Sequence, residues 1–245
     1  MSGFAVALGF LTRVPVPHRG ALAAGALARA AVWFPVVGAL VGLVLGGTRL
    51  LAELVLPAGA ATVLALGAAA LLTGGLHEDG LADTADGFGA HVPRERRLEI
   101  MRDPRVGTYG VLALVLVTLL AWSLLASLDG VACLVAAVAG HVVARWAMLV
   151  HAAASTSARD GGLGGLLAVR PVALAGGTVV AAAITITVAG PLAGGVALLA
   201  GLVAAGGMTA AARRVIGGST GDTFGALGKV AEVAVYAVIA VASTG

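Results

Sequence analysis

Long apolar segments separated by short polar stretches make up most of the chain. Seven of them approach the length of about 20 apolar residues that a helix needs to cross the bilayer core. Approximately, they are residues 31–48, 58–76, 109–128, 130–150, 172–190, 191–212 and 227–243. The last is the weakest candidate, because Lys229 and Glu232 fall in its first turns. The pattern predicts an all-α, polytopic membrane protein with six or seven transmembrane helices and a single domain, residues 1–245.

The composition agrees with this prediction. Of the 245 residues, 60% are apolar and only 11% are charged, whereas a soluble domain carries about 25% charged residues. The net charge of +3 does not indicate nucleic-acid binding, because the basic residues are scattered between apolar segments. Cys133 is the only cysteine and lies in an apolar segment, so we expect a buried thiol without a disulfide. Residues 4–11 lack a cleavage site and are expected to lie at the membrane surface.

The distribution of arginine and lysine predicts the orientation in the membrane. With the N-terminus in the cytoplasm, 14 of the 15 basic residues, Arg19 among them, fall on the cytoplasmic side and only Arg49 falls outside. All three sizeable loops would then be cytoplasmic. We therefore expect a multi-pass protein of the bacterial cytoplasmic (inner) membrane, with its active site facing the cytoplasm. The sequence indicates no oligomeric state.

Much of the acidic charge lies in one short segment, since seven of the 12 Asp and Glu residues fall within residues 78–103. Asp79, Asp83 and Asp86 stand at i, i+4 and i+7, so they share one face if this polar loop is helical. Their repulsion favours a divalent cation, and carboxylate oxygens without sulfur favour Mg²⁺ or Mn²⁺. We predict all three as metal ligands, Asp83 and Asp86 also as catalytic residues, and His77 as a candidate for acid–base chemistry.

The residues around the acidic segment suggest a phosphate-containing substrate. Gly80 and Gly87 remove side chains beside the carboxylates, which is expected to leave room for a bulky phosphate ester. Arg102 and Arg105 precede a turn that ends at Thr108, and two guanidinium groups suit a diphosphate. Two alternatives stay open here: the acidic segment is only a solvated loop, and the arginines only anchor the protein at the membrane surface.

A second polar cluster follows the sixth apolar segment, at residues 217–225. A run of Gly, Ser and Thr before a helix presents backbone N–H groups to an anion. Gly221, Asp222 and Thr223 are therefore candidate substrate-binding residues, with the alternative that Asp222 is a helix N-cap.

Ionisable residues also occur inside the apolar segments. Glu232 is a functional candidate for that reason, or it simply pairs with Lys229. Arg145 either extends to the cytoplasmic surface or points inward, and His141 and His151 are ambiguous. Such charges could mark the ion path of a transporter, but the main carboxylate group lies in a loop and not at the bilayer midplane.

Several motifs in order resemble the cobalamin synthase family, the adenosylcobinamide-GDP ribazoletransferases, over essentially the whole chain. They are FLTRVPVP (10–17), FPVVG (34–38), TGGLHEDGLADTADG (73–87), RLEIMRD (97–103), RVGT (105–108) and TGDT (220–223). The resemblance implies transfer of adenosylcobinamide phosphate from adenosylcobinamide-GDP to α-ribazole or its 5′-phosphate, with release of GMP and with Mg²⁺ as cofactor. This is the last step of nucleotide-loop assembly in vitamin B12 biosynthesis.

One alternative family shares part of the acidic motif. Residues 83–90 match the opening D-x-x-D-G-x-x-A of the CDP-alcohol phosphotransferases of phospholipid synthesis. The second half of that motif is absent from this chain, which makes this family the weaker interpretation.

Overall fold

The computed structural model describes residues 2–17, 25–159 and 169–243, and its regular elements in these ranges are all helical. Arg19 and His18 lie outside the described residues. The elements are α1 (Gly3–Leu11), α2 (Ala26–Ala30), a 3₁₀ turn (Ala31–Trp33), α3 (Phe34–Ala52), α4 (Ala58–Thr73), α5 (Leu76–Gly89), α6 (Arg94–Ile100), α7 (Thr108–Ala126), α8 (Gly130–Ala154), α9 (Pro171–Ala189), α10 (Pro191–Ile216) and α11 (Gly221–Ala242).

Six helical stretches among the described residues are long and apolar enough to cross a membrane. They are Ala26–Ala52, which joins α2, the 3₁₀ turn and α3, and the helices α7, α8, α9, α10 and α11. Helix α4 meets the same test only together with α5, and these two helices are bent by 89°. The prediction of an all-α polytopic protein with six or seven transmembrane helices is confirmed.

The bend between α4 and α5 has a local cause in two adjacent glycines. Gly74 and Gly75 have φ angles of 67° and 70°, a left-handed conformation that side chains disfavour. Gly74 ends α4 and Gly75 begins α5. The prediction of an acidic loop was therefore wrong: the segment is a helix, turned away from α4, and it is not one of the six spans. The last span also begins earlier than predicted, at Gly221.

Helix α8 forms the centre of the bundle and is buried along most of its length. Small residues let its neighbours approach closely, since a Cβ at Gly42 of α3 would lie 2.6 Å from the carbonyl oxygen of Ala137. Close crossings at small residues are typical of transmembrane helices. Cys133 lies in this core and is buried, as predicted.

The connections after α5, α8 and α10 meet at one end of the bundle, which we call the polar end. The backbone N–H of Ser219 donates to Thr156 O at 2.8 Å. The Arg94 side chain donates to Ile216 O at 2.7 Å and to Ala158 O at 2.9 Å. Arg49 is buried near the opposite end, where it pairs with Glu53. The basic connections after α5, α8 and α10 thus share one end, and the predicted cytoplasmic orientation of that end stays a prediction.

Candidate active site

Helix α5 carries its acidic residues along one face at the polar end, so the expected one-face arrangement is present. The three carboxylates nevertheless have different surroundings. Asp79 is exposed, Asp83 is half-buried and Asp86 is buried.

Asp86 connects α5 to the start of α7. Its carboxylate accepts hydrogen bonds from the backbone N–H of Gly107 at 2.7 Å and of Gly110 at 2.9 Å. The first N–H groups of a helix have no partner within the helix, and an anion beside them is stabilised by the helix dipole. Asp86 therefore caps α7 and fixes Thr108, its exposed first residue. The metal-binding and catalytic roles of Asp86 stay predictions.

Asp83 lies in an acidic cluster that includes a residue from α11. Burial, which is the largest cause, and the neighbouring charges of Asp79, Asp222 and Asp86 together raise the pKa of Asp83 to about 7. Asp222 stands in the first turn of α11, directly after Gly221. The polar end thus brings together the acidic segment and the second polar cluster, which are far apart in the sequence.

Thr220 is the N-cap of α11, so the alternative that Asp222 caps this helix was wrong. Thr220 and Thr223 form a reciprocal capping box, in which Thr223 N donates to the Thr220 hydroxyl at 3.3 Å. The buried Thr223 hydroxyl also lies 3.2 Å from Nε2 of His151. Asp222 is left free of this task, and its carboxylate accepts a hydrogen bond from Thr220 at 3.2 Å.

Two arginines lie beside the acidic cluster. Nη1 of Arg159 is 3.6 Å from Asp222, and its Nη2 donates to Leu98 O at 3.2 Å. Burial lowers the pKa of Arg159; the charge of Arg102 lowers it as well, whereas Asp222 and Asp83 raise it. Arg102 and Arg159 are therefore both within electrostatic reach of the carboxylates. From the sequence, Arg159 was counted only among the 14 basic residues expected on the cytoplasmic side.

Arg105, in contrast, is occupied by a neighbour on an exposed turn. Its Nε and Nη2 donate to the two oxygens of Asp103 at 2.9 and 2.8 Å. This pairing lowers the pKa of Asp103 to about 2. The predicted role of Arg105 in substrate binding stays a prediction, and the structure gives its guanidinium group a protein partner.

The expectation that Gly80 and Gly87 leave room for a substrate was wrong. A Cβ at Gly80 would lie 2.8 Å from Asp222 O and 3.0 Å from the Cα of Gly225 on α11. A Cβ at Gly87 would collide with the side chain of Met101. Both glycines instead permit close packing, and Gly80 sets the distance between the two helices that carry Asp83 and Asp222.

Two large cavities border the first turn of α5. The outer cavity, about 700 Å³, lies at the polar end and is lined by Arg13, Glu78 and Asp79. The inner cavity, about 450 Å³, lies among α3, α4, α7, α8 and α11. Both are lined by Thr73 and Glu78. Arg13 was also missed as a site residue, although it stands within the motif of residues 10–17.

A buried cluster of charges forms one wall of the inner cavity. Arg145 points inward and donates to Glu232, and both residues are 1% exposed. Nδ1 of His141 lies 2.8 Å from the same carboxylate. Lys229 Nζ lies 2.8 Å from Glu232 and 3.0 Å from Glu78. Of the alternatives left open, inward orientation is confirmed for Arg145, and Glu232 does pair with Lys229.

His77 lies on a different side of α5 from the acidic stripe. It is 2% exposed and lines the inner cavity. Its predicted part in acid–base chemistry stays a prediction.

Within the described ranges, no group of three or more His, Cys, Asp or Glu side chains is arranged to hold a metal ion. The predicted ligands Asp79, Asp83 and Asp86 share a helix face without converging on one point. The magnesium site therefore stays a prediction.

One protein family and several of its members match the chain over most of its length. The family model described as cobalamin-5-phosphate synthase matches residues 3–240. The adenosylcobinamide-GDP ribazoletransferase of Bradyrhizobium diazoefficiens is 42% identical over 247 residues, covering 96% of this chain and 92% of that protein. The protein of that name from Mesorhizobium japonicum is 42% identical over 243 residues, covering 97% and 92%.

A third relative is more similar over a shorter stretch. The adenosylcobinamide-GDP ribazoletransferase of Shewanella amazonensis is 54% identical over 125 residues, covering 51% of this chain and 48% of that protein. In this alignment the chain spans about half the length of its relative. No solved structure matches the chain significantly, and none of these matches favours a CDP-alcohol phosphotransferase.

Proposed function

Because the chain belongs to the cobalamin-5-phosphate synthase family, we propose that it is an adenosylcobinamide-GDP ribazoletransferase. It would transfer adenosylcobinamide phosphate from adenosylcobinamide-GDP to α-ribazole or α-ribazole 5′-phosphate. The products would be adenosylcobalamin, or its 5′-phosphate, and GMP. The observation that carries this proposal is the family match over residues 3–240, which includes every helix that contributes to the polar end.

The reaction requires charge neutralisation more than covalent chemistry by the protein. A hydroxyl of the riboside attacks the phosphorus attached to cobinamide, a new P–O bond forms, and the bond to the GMP oxygen breaks. Negative charge on the diphosphate must be stabilised throughout. Arg102 and Arg159 beside the acidic cluster, and Arg13 in the outer cavity, are the cations that support this assignment.

The carboxylates of the acidic cluster are not arranged around one point in this structure, but they are hard oxygen donors, and we propose that they bind Mg²⁺. Burial, and after it the negative charges of Asp79 and Asp222, raise the pKa of Asp83 to about 7. An oxygen donor set of this kind suits a hard ion. Asp79, Asp83 and Asp222 would hold the ion, together with Asp86 if its carboxylate is shared with α7. The ion would neutralise the diphosphate and the leaving phosphate.

The proton of the attacking hydroxyl needs an acceptor near the same carboxylates. Asp83 is suited to this step, because a general base works best when its pKa lies near the operating pH. As a metal ligand or as a base, Asp83 must be ionised when it acts.

GMP release by the purified protein tests the proposed function. Protein supplied with Mg²⁺, adenosylcobinamide-GDP and α-ribazole is expected to release GMP and form adenosylcobalamin. Asp83→Ala is expected to abolish turnover while the protein still inserts into the membrane. Asp103→Ala is the matched control, since Asp103 lies at the same end but contacts only its own turn.

Two outcomes would count against separate parts of the proposal. The absence of GMP from the wild-type reaction would overturn the proposed activity. Full turnover after removal of divalent cations with EDTA would overturn the magnesium requirement and leave the activity intact.

A further inference from the structure

The inner cavity has the size and the lining of a small-molecule site. Its volume of about 450 Å³ falls in the range of about 300–1,000 Å³ typical of ligand pockets. Apolar side chains of α3, α4 and α7 form most of its surface, among them Leu45, Leu66 and Val117. The charged cluster around Glu232 forms the remaining wall. An apolar pocket with a few polar groups on one side favours an apolar ligand that carries a small number of polar atoms.

Three nitrogen atoms on this wall lack a hydrogen-bond partner among the described residues: Nε of Arg145, Nε2 of His141 and Nδ1 of His77. Each of these residues is at most 3% exposed. Of the carboxylate oxygens on the wall, Oε2 of Glu78 also has no hydrogen-bond partner, and Oε2 of Glu232 lies 2.8 Å from Lys229 Nζ. A buried polar group without a partner costs about 1–3 kcal/mol, so such groups call for a ligand or water. The guanidinium Nε–H is always a donor. The occupant must therefore offer a hydrogen-bond acceptor.

The charges on the wall argue against a phosphate group in this cavity. Arg145 and Lys229 face Glu232 and Glu78 in mutual ion pairs, so positive charge is already balanced. A buried anion without an unpaired cation is strongly disfavoured. A lipid acyl chain would fill the apolar part but offers no acceptor to Arg145. The chemistry fits a neutral, apolar ring system with an acceptor nitrogen or oxygen.

Resting on the proposed function, we infer that the inner cavity binds the aromatic base of the acceptor riboside. That base is a flat dimethylbenzimidazole, apolar around most of its edge, with one ring nitrogen able to accept a hydrogen bond. The guanine of the other substrate carries several donors and acceptors, and its corrinoid macrocycle is larger than the cavity. The ring nitrogen would accept from the charged wall, and the ribose would extend past Glu78 toward Asp79.

The inner cavity adjoins the outer cavity, which lies beside the acidic cluster. Glu78 and Thr73 line both cavities, and Asp79 follows Glu78 on the outer side. A riboside with its base in the inner cavity therefore presents its sugar hydroxyls beside the carboxylates. The base would set which riboside is accepted, and the outer cavity would hold the diphosphate of the second substrate.

A glycine on α4 allows the cavity to be filled without disturbing the helix packing. Gly67 lines the inner cavity, and a Cβ added there meets no atom within 4 Å. Gly67→Leu should therefore fold and occupy part of the pocket. Gly206 on α10 is the matched control, because its Cβ also meets nothing within 4 Å and the residue does not line this cavity.

Binding of α-ribazole to the protein in lipid nanodiscs, without the corrinoid substrate, tests the inference directly. Gly67→Leu is expected to weaken α-ribazole binding at least tenfold, whereas Gly206→Leu leaves it unchanged. The KM for adenosylcobinamide-GDP should be the same in both variants. A riboside whose base lacks the two methyl groups should lose less affinity in Gly67→Leu than α-ribazole does.

The inference would be overturned if Gly67→Leu and Gly206→Leu bound α-ribazole with equal affinity. It would also be overturned if Gly67→Leu lost a co-purified phospholipid but still bound α-ribazole normally. If Gly67→Leu does not fold, Gly67→Ala replaces it. A smaller loss of α-ribazole affinity is then expected. GMP release by the wild-type protein separates the two proposals. If the wild-type protein releases GMP but Gly67→Leu binds α-ribazole normally, only the cavity assignment is overturned. If Gly67→Leu weakens α-ribazole binding but the wild-type protein releases no GMP, only the proposed transferase activity is overturned.

Discussion

Asp83 and Asp86 are three residues apart on α5, yet their carboxyl groups have opposite electrostatic surroundings. Asp86 accepts two backbone hydrogen bonds at the start of α7, which stabilise its charge. Asp83 faces other carboxylates, and its pKa is raised to about 7. The spacing in the sequence places Asp83 and Asp86 on one face of the helix. It does not show that Asp86 caps α7, whereas Asp83 is available to bind a cation or a proton.

Replacing Asp83 by asparagine should stabilise the metal-free protein, and more so at alkaline pH. A carboxyl whose pKa is raised in the folded state favours folding at low pH, and this contribution is lost as the pH rises from about 4 to about 7. In EDTA, the gain in thermal midpoint of Asp83→Asn over wild type should therefore be larger at pH 8 than at pH 5. Differential scanning fluorimetry in detergent measures both.

Asp103→Asn provides the control for this prediction. The pKa of Asp103 is lowered to about 2, so its carboxylate is ionised throughout this range and the effect of substitution should be the same at pH 5 and pH 8. A pH-independent effect of Asp83→Asn would contradict the assigned surroundings of Asp83.

Asp86→Ala should destabilise the protein, whereas Asp79→Ala should not. Loss of Asp86 leaves the N–H groups of Gly107 and Gly110 without their acceptor, at a cost on the order of 2 kcal/mol. Asp79 is exposed, so Asp79→Ala should abolish GMP release with an unchanged thermal midpoint. An unchanged midpoint in Asp86→Ala would argue that its role lies with the substrate alone.

At the scale of elements, the close approach of α5 to α11 brings the two polar clusters together. Gly80 and Gly225 meet at this crossing, where a Cβ on Gly225 would lie 3.1 Å from the Cα of Gly80. Any side chain at Gly80 must push against the backbone of Asp222. The distance between Asp83 and Asp222 therefore depends on a residue that has no side chain of its own.

Gly80→Ala should lower activity at least tenfold by separating α5 from α11. Forcing a methyl group into such a contact typically costs about 1–3 kcal/mol, so the thermal midpoint should fall as well. GMP release and the midpoint should both be unchanged in Gly206→Ala, because that position faces open space. Wild-type turnover in Gly80→Ala would show that the crossing does not set the geometry of the site.

The hydrophobic pattern was sufficient to find the transmembrane helices, because a transmembrane span must be long and apolar whatever it packs against. The break at Gly74 and Gly75 was not recognised, since two glycines in an apolar segment are also common inside spans. The role of Gly80 could not be predicted either, because a glycine in the sequence is equally compatible with a nearby substrate and with a closely packed helix. The partners of Arg145 and Arg159 depend on tertiary contacts between distant segments.

At the scale of the whole molecule, the bundle has two chemically different ends. The polar end holds the acidic helix, the connection with Arg94 and the start of α11. The opposite end holds short connections, with Arg49 buried and paired to Glu53. Among the described residues, Arg13, Arg102 and Arg159 lie at the polar end beside the carboxylates, so this end suits a substrate that carries a diphosphate.

The polar end should face the cytoplasm, because basic residues near membrane spans are retained on that side. Single cysteines introduced as Arg96→Cys at the polar end and Val55→Cys at the opposite end test this orientation, since both positions are exposed. The native Cys133 is buried, so the wild-type protein gives the background. In intact spheroplasts, a membrane-impermeant maleimide should label Val55→Cys only, and Arg96→Cys should react only after lysis. The reverse pattern would place the carboxylates, and with them the proposed transferase site, on the outer surface.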